Sequence, residues 1–136
     1  MDDSDLTQLV CRLLAQRCGW AWKPGGINPA ATVWTFYGAI GATPDEAVGV
    51  RVYGGTDDLV DGLKTRRVQV RHRGPKGAPD GADKLADKTF AALHGLSRVE
   101  GINGAHRLSW AVLGADGSGR EERTDNYQII LDNPEA

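Results

Sequence analysis

Residues 65–74 read TRRVQVRHRG, and the alternation inside that run constrains the fold more than any other feature of the chain. Val68 and Val70 stand opposite Arg67, Gln69, Arg71 and Arg73, because successive side chains of a strand point to opposite faces. A helix would need its apolar residues at a period of 3.6, not 2. The run is therefore a strand with one face in a core and the other polar. It requires a sheet covered on one side only, and such sheets are mostly antiparallel.

The same pattern recurs along the chain. AVGVRVYG at 47–54 sets Val48, Val50 and Val52 against Gly49, Arg51 and Tyr53. VWTFYGAI at 33–40 is rich in aromatic and β-branched residues, which favour strands. HRLSWAV at 106–112 alternates Leu108, Trp110 and Val112 with Arg107, Ser109 and Ala111, and NYQIIL at 126–131 supplies a last strand. GADGSG at 114–119 reads as the turn that joins these two as antiparallel neighbours.

Two segments carry the helical period instead. Leu6, Leu9, Val10, Leu13 and Leu14 make one apolar stripe over 4–18, with Ser4 or Asp3 as cap and Gly19 at the end. A second stripe, Ala82, Leu85, Ala86, Thr89, Phe90 and Leu93, runs over 81–94 between Asp80 and Gly95, with Lys84, Asp87 and Lys88 facing water. Each helix is apolar on one side only, so each needs a sheet to lie on. The order helix, three strands, helix, two strands predicts an α+β fold: a mixed, largely antiparallel sheet of about five strands with two helices packed on one face. The other face, bearing Arg51, Tyr53, Arg67, Gln69, Arg71 and Arg73, is left without a helical cover. Such a face is either wet or docked.

At 136 residues the chain is one domain, 1–136, able to bury roughly two-thirds of its unfolded surface. A net charge of -2, from 16 Lys and Arg against 18 Asp and Glu, gives no overall attraction for nucleic acid or anionic lipid, so any basic site is local. No apolar run approaches the roughly 20 residues that span a bilayer. The start, MDDSD, is acidic where a signal peptide is basic, which points to a cytoplasmic product. Cys11 and Cys18, seven residues apart on one helix, lie about 10 Å apart, too far to bridge, and read as structural thiols. Residues 19–33 hold two prolines, three glycines, Trp20 and Trp22, and read as a long irregular loop. Its two tryptophans either seal the end of the core or contact a partner. Residues 132–136 read as a flexible C-terminal tail.

No motif points to catalysis, a cofactor or a metal. GADGSGRE has Arg120 and Glu121 where a phosphate loop needs Lys and Ser or Thr, and GLSRV at 95–99 lacks the second glycine of a nucleophile elbow. His72, His94 and His106 have no metal-ligand spacing, and no pair of carboxylates stands out as acid and base. A small nucleic-acid-binding domain using strand 66–73 stays open, although single-strand binders stack several aromatics on the basic surface and here only Tyr53 is near.

Five segments, TFYGAI, TPDEAVGVRVYGG, RRVQVRHRG, ADKLADKTFAALHG and GREERTDNYQIILD, occur in that order across most of residues 34–132. Together they resemble the phage tail terminator family, the minor capsid or minor tail proteins of long non-contractile tails. The first 33 residues match only as a leading helix and a variable loop. The resemblance implies a structural virion protein that forms a homo-hexameric ring at the head-proximal end of the tail tube, stops tube growth and gives the head–tail connector a joining surface. Its implied partners are further copies of itself, the tail tube protein and the connector, with assembly in the host bacterial cytoplasm. It implies no membrane, no cofactor and no specific nucleic-acid binding. A head–tail connector or adaptor is the alternative within the same class. Arg71, Arg73, Asn126 and Tyr127 fall in the recurring motifs, and for Asn126 and Tyr127 a contact role and a folding role both remain open.

Overall fold

Helix α1 (Asp3–Cys18) is followed by strands β1 (Trp34–Tyr37), β2 (Ala47–Asp57) and β3 (Lys64–Lys76), helix α2 (Gly81–Leu93), and strands β4 (Ile102–Ala115) and β5 (Arg120–Leu131) in the computed structural model, which describes residues 1–132. The expected flexible tail lies outside the described residues except for Asp132. The strands form one open sheet in the order β1-β2-β3-β5-β4. β1 runs parallel to β2 and every other pair is antiparallel. The mixed, largely antiparallel α+β fold is the one expected from the alternation.

Both helices lie on the valine side of the sheet. Val48, Val50 and Val52 of β2, Val68 and Val70 of β3, and Tyr127, Ile129 and Leu131 of β5 meet Leu6, Val10, Leu14, Leu85 and Leu93 in one core. Tyr127 is thereby a core residue. The cap of α1 is Asp2, not Ser4 or Asp3. The Asp2 carboxylate accepts from the Asp5 N–H at 2.7 Å and the Asp5 carboxylate accepts from the Asp2 N–H at 3.3 Å. This reciprocal box satisfies two orphan donors at once, which neither alternative could do. Gly19 ends the helix at φ 73, with its N–H on the Ala15 carbonyl.

Asp80 occupies the N-cap position of α2 but makes no capping bond; its carboxylate lies 3.4 Å from the Lys84 ammonium. Close packing seats this helix instead. A β-carbon on Gly74 would stand 2.7 Å from the Gly81 carbonyl carbon and 2.8 Å from the Ala82 nitrogen, so only glycine lets β3 pass the helix start. Phe90 is half-buried rather than in the core, and Ala92 is buried in the helix's last turn.

The 19–33 segment is tied to the sheet. The Ala21 N–H donates to the Val33 carbonyl at 2.9 Å and the Thr35 N–H to the Ala21 carbonyl at 2.8 Å, so the segment lies along the outer side of β1. Trp20 and Trp22, weighed above as loop contacts, are both buried and close the end of the core. Cys11 and Cys18 are unbridged, and burial pushes their thiols up to about 12 and about 11. Both stay protonated and unreactive at neutral pH.

Val70, fully buried between the sheet and the helices, carries the prediction that follows from this packing. Val70→Asp places an unpaired carboxylate in the core at a cost of several kcal/mol. The variant is expected to lose cooperative thermal unfolding by circular dichroism. A melting temperature within a few degrees of the parent would show that the β3 faces are assigned wrongly.

Candidate docking surfaces

On the face opposite the helices, Arg71 of β3 stands between Gly49 of β2 and Thr124 of β5, and Gln69 between Arg51 and Asn126. The strands thus bring Arg51, Gln69, Arg71 and Arg73 together as the alternation predicts. Tyr53 falls in the register shift between Val52 and Gly54 and is exposed. Arg67, opposite Gln128, is exposed and forms no ion pair among the described residues. Asn126 binds the Ser109 hydroxyl at 3.1 Å, cross-linking β5 to β4 on this face.

The face is not bare. Residues 38–40 cross over β2 at Gly49, where a β-carbon would collide with the Gly38 carbonyl oxygen. Between this crossing and the arginines lies a groove of about 540 Å³, lined by Ile40, Gly49, Arg51, Gln69, Arg71 and Glu122 among others. Arg73 is a structural residue of the groove floor rather than a contact residue. It is 5% exposed, and its guanidinium donates to the carbonyls of Asp45 at 2.9 Å, Gly41 at 2.8 Å and Pro44 at 2.7 Å. Arg71 donates to Glu122 at 2.9 Å, and Arg66 donates to Asp3 and to Asp57, both at 2.8 Å. Much of the basic strand's charge is therefore neutralised inside the molecule.

Two exposed apolar surfaces escape the sequence reading. β4 is the outermost strand, and its pairing with β5 shifts register three times, at Ile102/Gly104, Arg107/Ser109 and Val112/Gly114. Each bulge adds an unpaired residue and breaks the alternation. Leu108 and Leu113 occupy two of them, while Trp110 and Val112 remain 55% and 66% exposed beyond the reach of α2. One signal could have disclosed this edge: LSWAVLGA at 108–115 carries no charge, whereas edge strands usually do. The second surface is the β2–β3 hairpin tip, with Leu59 and Val60 exposed to 98% and 97%. Asp58 accepts there from the N–H groups of Val60 at 2.8 Å and Asp61 at 3.0 Å. These backbone donors hold its carboxyl below the usual range and give the tip a defined shape.

On the opposite edge of the sheet, a smaller groove of about 230 Å³ runs along the outside of β1, walled by Pro24, Trp34, Phe36 and Tyr37 with Lys23 at its rim. The Lys23 ammonium lies 4.2 Å from the Trp34 ring centre.

A buried polar cluster fixes the apolar edge in place. Asp125 of β5 has no solvent access; its carboxylate accepts from Arg123 at 2.8 and 3.2 Å and from Arg107 of β4 at 3.3 Å. Arg123 also reaches Asp83 of α2 at 3.2 Å, and Trp110 covers both guanidinium groups, at 4.4 Å from Arg107 and 5.4 Å from Arg123. Beside the cluster, His72 Nδ1 lies 3.3 Å from the Arg123 carbonyl and Nε2 2.8 Å from the Thr89 hydroxyl. A carbonyl can only accept, so Nδ1 carries the proton and Nε2 accepts from Thr89. Burial pushes the imidazole down to about 4, against a smaller opposing pull from Asp125. Among the described residues, no group of three or more His, Cys, Asp or Glu side chains is placed to hold a metal ion.

The model of the bacteriophage tail terminator protein family matches residues 13–133 of the chain. No curated protein sequence matches it. Among solved structures, a chain in the virion of a native gene transfer agent particle has the same fold, with a TM-score of 0.62 at 14% identity over 93% of this chain and 94% of that one.

The His72 environment predicts a pH dependence. Its folded value of about 4 lies below the ordinary 6.5, so between these limits the unfolded chain binds a proton that the folded chain does not. The stabilisation is fully present above pH 6.5 and is lost as pH falls toward 4. Melting temperature measured across this range should fall more steeply for the parent than for His72→Gln, which cannot titrate. Parallel curves would remove His72 as the source.

Proposed function

Because the chain belongs to the bacteriophage tail terminator protein family, a structural, tail-related family, we propose that it closes into a six-membered ring on the head-proximal end of a tail tube. There it stops tube growth and gives the head connector a joining surface. The observation that best supports this reading is the inequality of the two sheet edges. β4 presents an uncharged apolar ridge and the outside of β1 an apolar groove, so the isolated subunit is unfinished at both sides. Unlike surfaces that meet head to tail repeat around an axis and close into a ring when the rotation permits. Capping a tube calls for the tube's own rotational symmetry.

A ring built through the sheet edges leaves the two strand ends free. One end carries the Leu59–Val60 tip, and the other carries the 41–45 loop held by Arg73 together with the 116–119 turn. These ends, with the Arg51 and Arg71 groove, are the surfaces offered to tube and connector. The basic strand gives little support to nucleic-acid binding, since Arg66, Arg71 and Arg73 are already occupied by carboxylates or carbonyls.

Two outcomes are expected. Native mass spectrometry and negative-stain imaging should show closed sixfold rings, either of the free protein or on purified tail tubes. A stable twofold dimer that forms no ring even with tubes present would defeat the proposal. Binding to duplex or single-stranded DNA near physiological salt should be no tighter than the non-specific range of about 10⁻⁴–10⁻⁶ M. Submicromolar affinity that falls steeply with added salt would instead favour the nucleic-acid reading.

A further inference from the structure

The edge formed by β4 is long, outermost and uncharged from Leu108 to Ala115. A strand of this kind exposes unpaired backbone groups beside apolar side chains and associates with another chain unless something covers it. α2 does not reach it, and Trp110 and Val112, which stand opposite Asp125 and Arg123 on one face, remain more than half exposed. An apolar groove lies on the opposite edge of the same molecule. The groove outside β1, about 230 Å³, falls below the roughly 300–1,000 Å³ of small-molecule pockets. Its apolar walls suit side chains of another protein.

Charge follows the same division. Lys23, at the rim of the groove, lies over the Trp34 ring, and Arg51 lies over the ring of Tyr37, which walls the groove; neither cation forms an ion pair with a described residue. Glu121, opposite Ala115 at the end of β4, likewise has no cationic partner among the described residues. The backbone of β1 is in part already taken, since Ala21 bonds Val33 and Thr35 along its outer side. Simple addition of another strand is therefore blocked there, and contact must be made by side chains.

We propose that the apolar edge of β4 seats against the β1-side groove of the next copy of this chain, with Trp110 and Val112 as its anchors. This rests on the ring reading above and specifies its contact. Both halves of the interface lie on opposite edges of one sheet, so one contact repeats from subunit to subunit. A twofold pairing of β4 with β4 would leave the groove empty and stop at a dimer. Trp is among the residues enriched at the energetic centres of protein interfaces.

The test uses the full chain with a cysteine on each side, Val112→Cys together with Tyr37→Cys, oxidised mildly in the presence of tail tubes. The parent protein, with only Cys11 and Cys18, is the blank. The double variant should give a ladder of cross-linked species up to the ring, and each single variant none. Dimers from Val112→Cys alone would establish twofold edge pairing and overturn the proposal. A double variant that forms rings by imaging but no ladder would overturn this contact while leaving the ring reading intact. No ring from the parent, with or without tubes, would overturn both. Val112→Asp provides a second measurement, because an exposed position tolerates the change without loss of melting temperature. Ring formation should weaken about tenfold or more. Unchanged assembly, or intact rings that fail only to cap tubes, would assign the edge to another partner and overturn the proposal.

Discussion

A carboxylate without access to water governs the far half of the sheet. Asp125 is fully buried, and a buried carboxylate costs several kcal/mol unless cations and hydrogen bonds replace its lost hydration. Arg123 supplies two bonds from its own strand and Arg107 one from β4, while Asp83 draws Arg123 toward α2. The requirement thereby fixes β4 against β5 and the helix against both. Trp110 lies over the two guanidinium groups and shields them on the remaining side. The exposed edge is consequently presented on a rigid base.

A different constraint shapes the opposite face. Gly49 lets residues 38–40 cross over β2, and Arg73 then pins the following loop by three carbonyl bonds. Arg71, two residues away on the same strand, is left half-exposed beside Glu122. One strand therefore uses chemically identical side chains as an internal clamp and as a surface charge. The difference arises because the 41–45 loop lies over one position and not the other.

These two constraints divide the surface by purpose. The sheet's edges, one apolar ridge and one apolar groove, are suited to lateral association. Its strand ends and its arginine-bearing face are suited to contacts of another kind. In the ring proposed above, lateral contacts would fall on the sheet edges and axial contacts on the strand ends, which are separate parts of this fold.

The core was legible in the sequence because its signals are local. Val68 and Val70 against Gln69 and Arg71 disclose a half-covered strand, and Leu6, Val10 and Leu14 disclose a one-sided helix, without reference to any distant residue. The arginine face without a helical cover followed from the same periodicities, and the β4–β5 turn from the glycines of GADGSG. What the periodicities could not carry was pairing at long range. Arg67, Arg71 and Arg73 are equivalent in the alternation, yet only the fold determines which meets solvent, Glu122 or the carbonyls of residues 41–45. The three β4 bulges depend on register with β5, and that register determines that Leu108, Trp110, Val112 and Leu113 stay outside. Trp20 and Trp22 are buried because Ala21 pairs with β1, a contact no local pattern encodes. Side-chain period thus determined the elements and their inner faces. Tertiary pairing alone decided which strand lies at the edge and which charges are already satisfied, because both depend on neighbours far away in the chain.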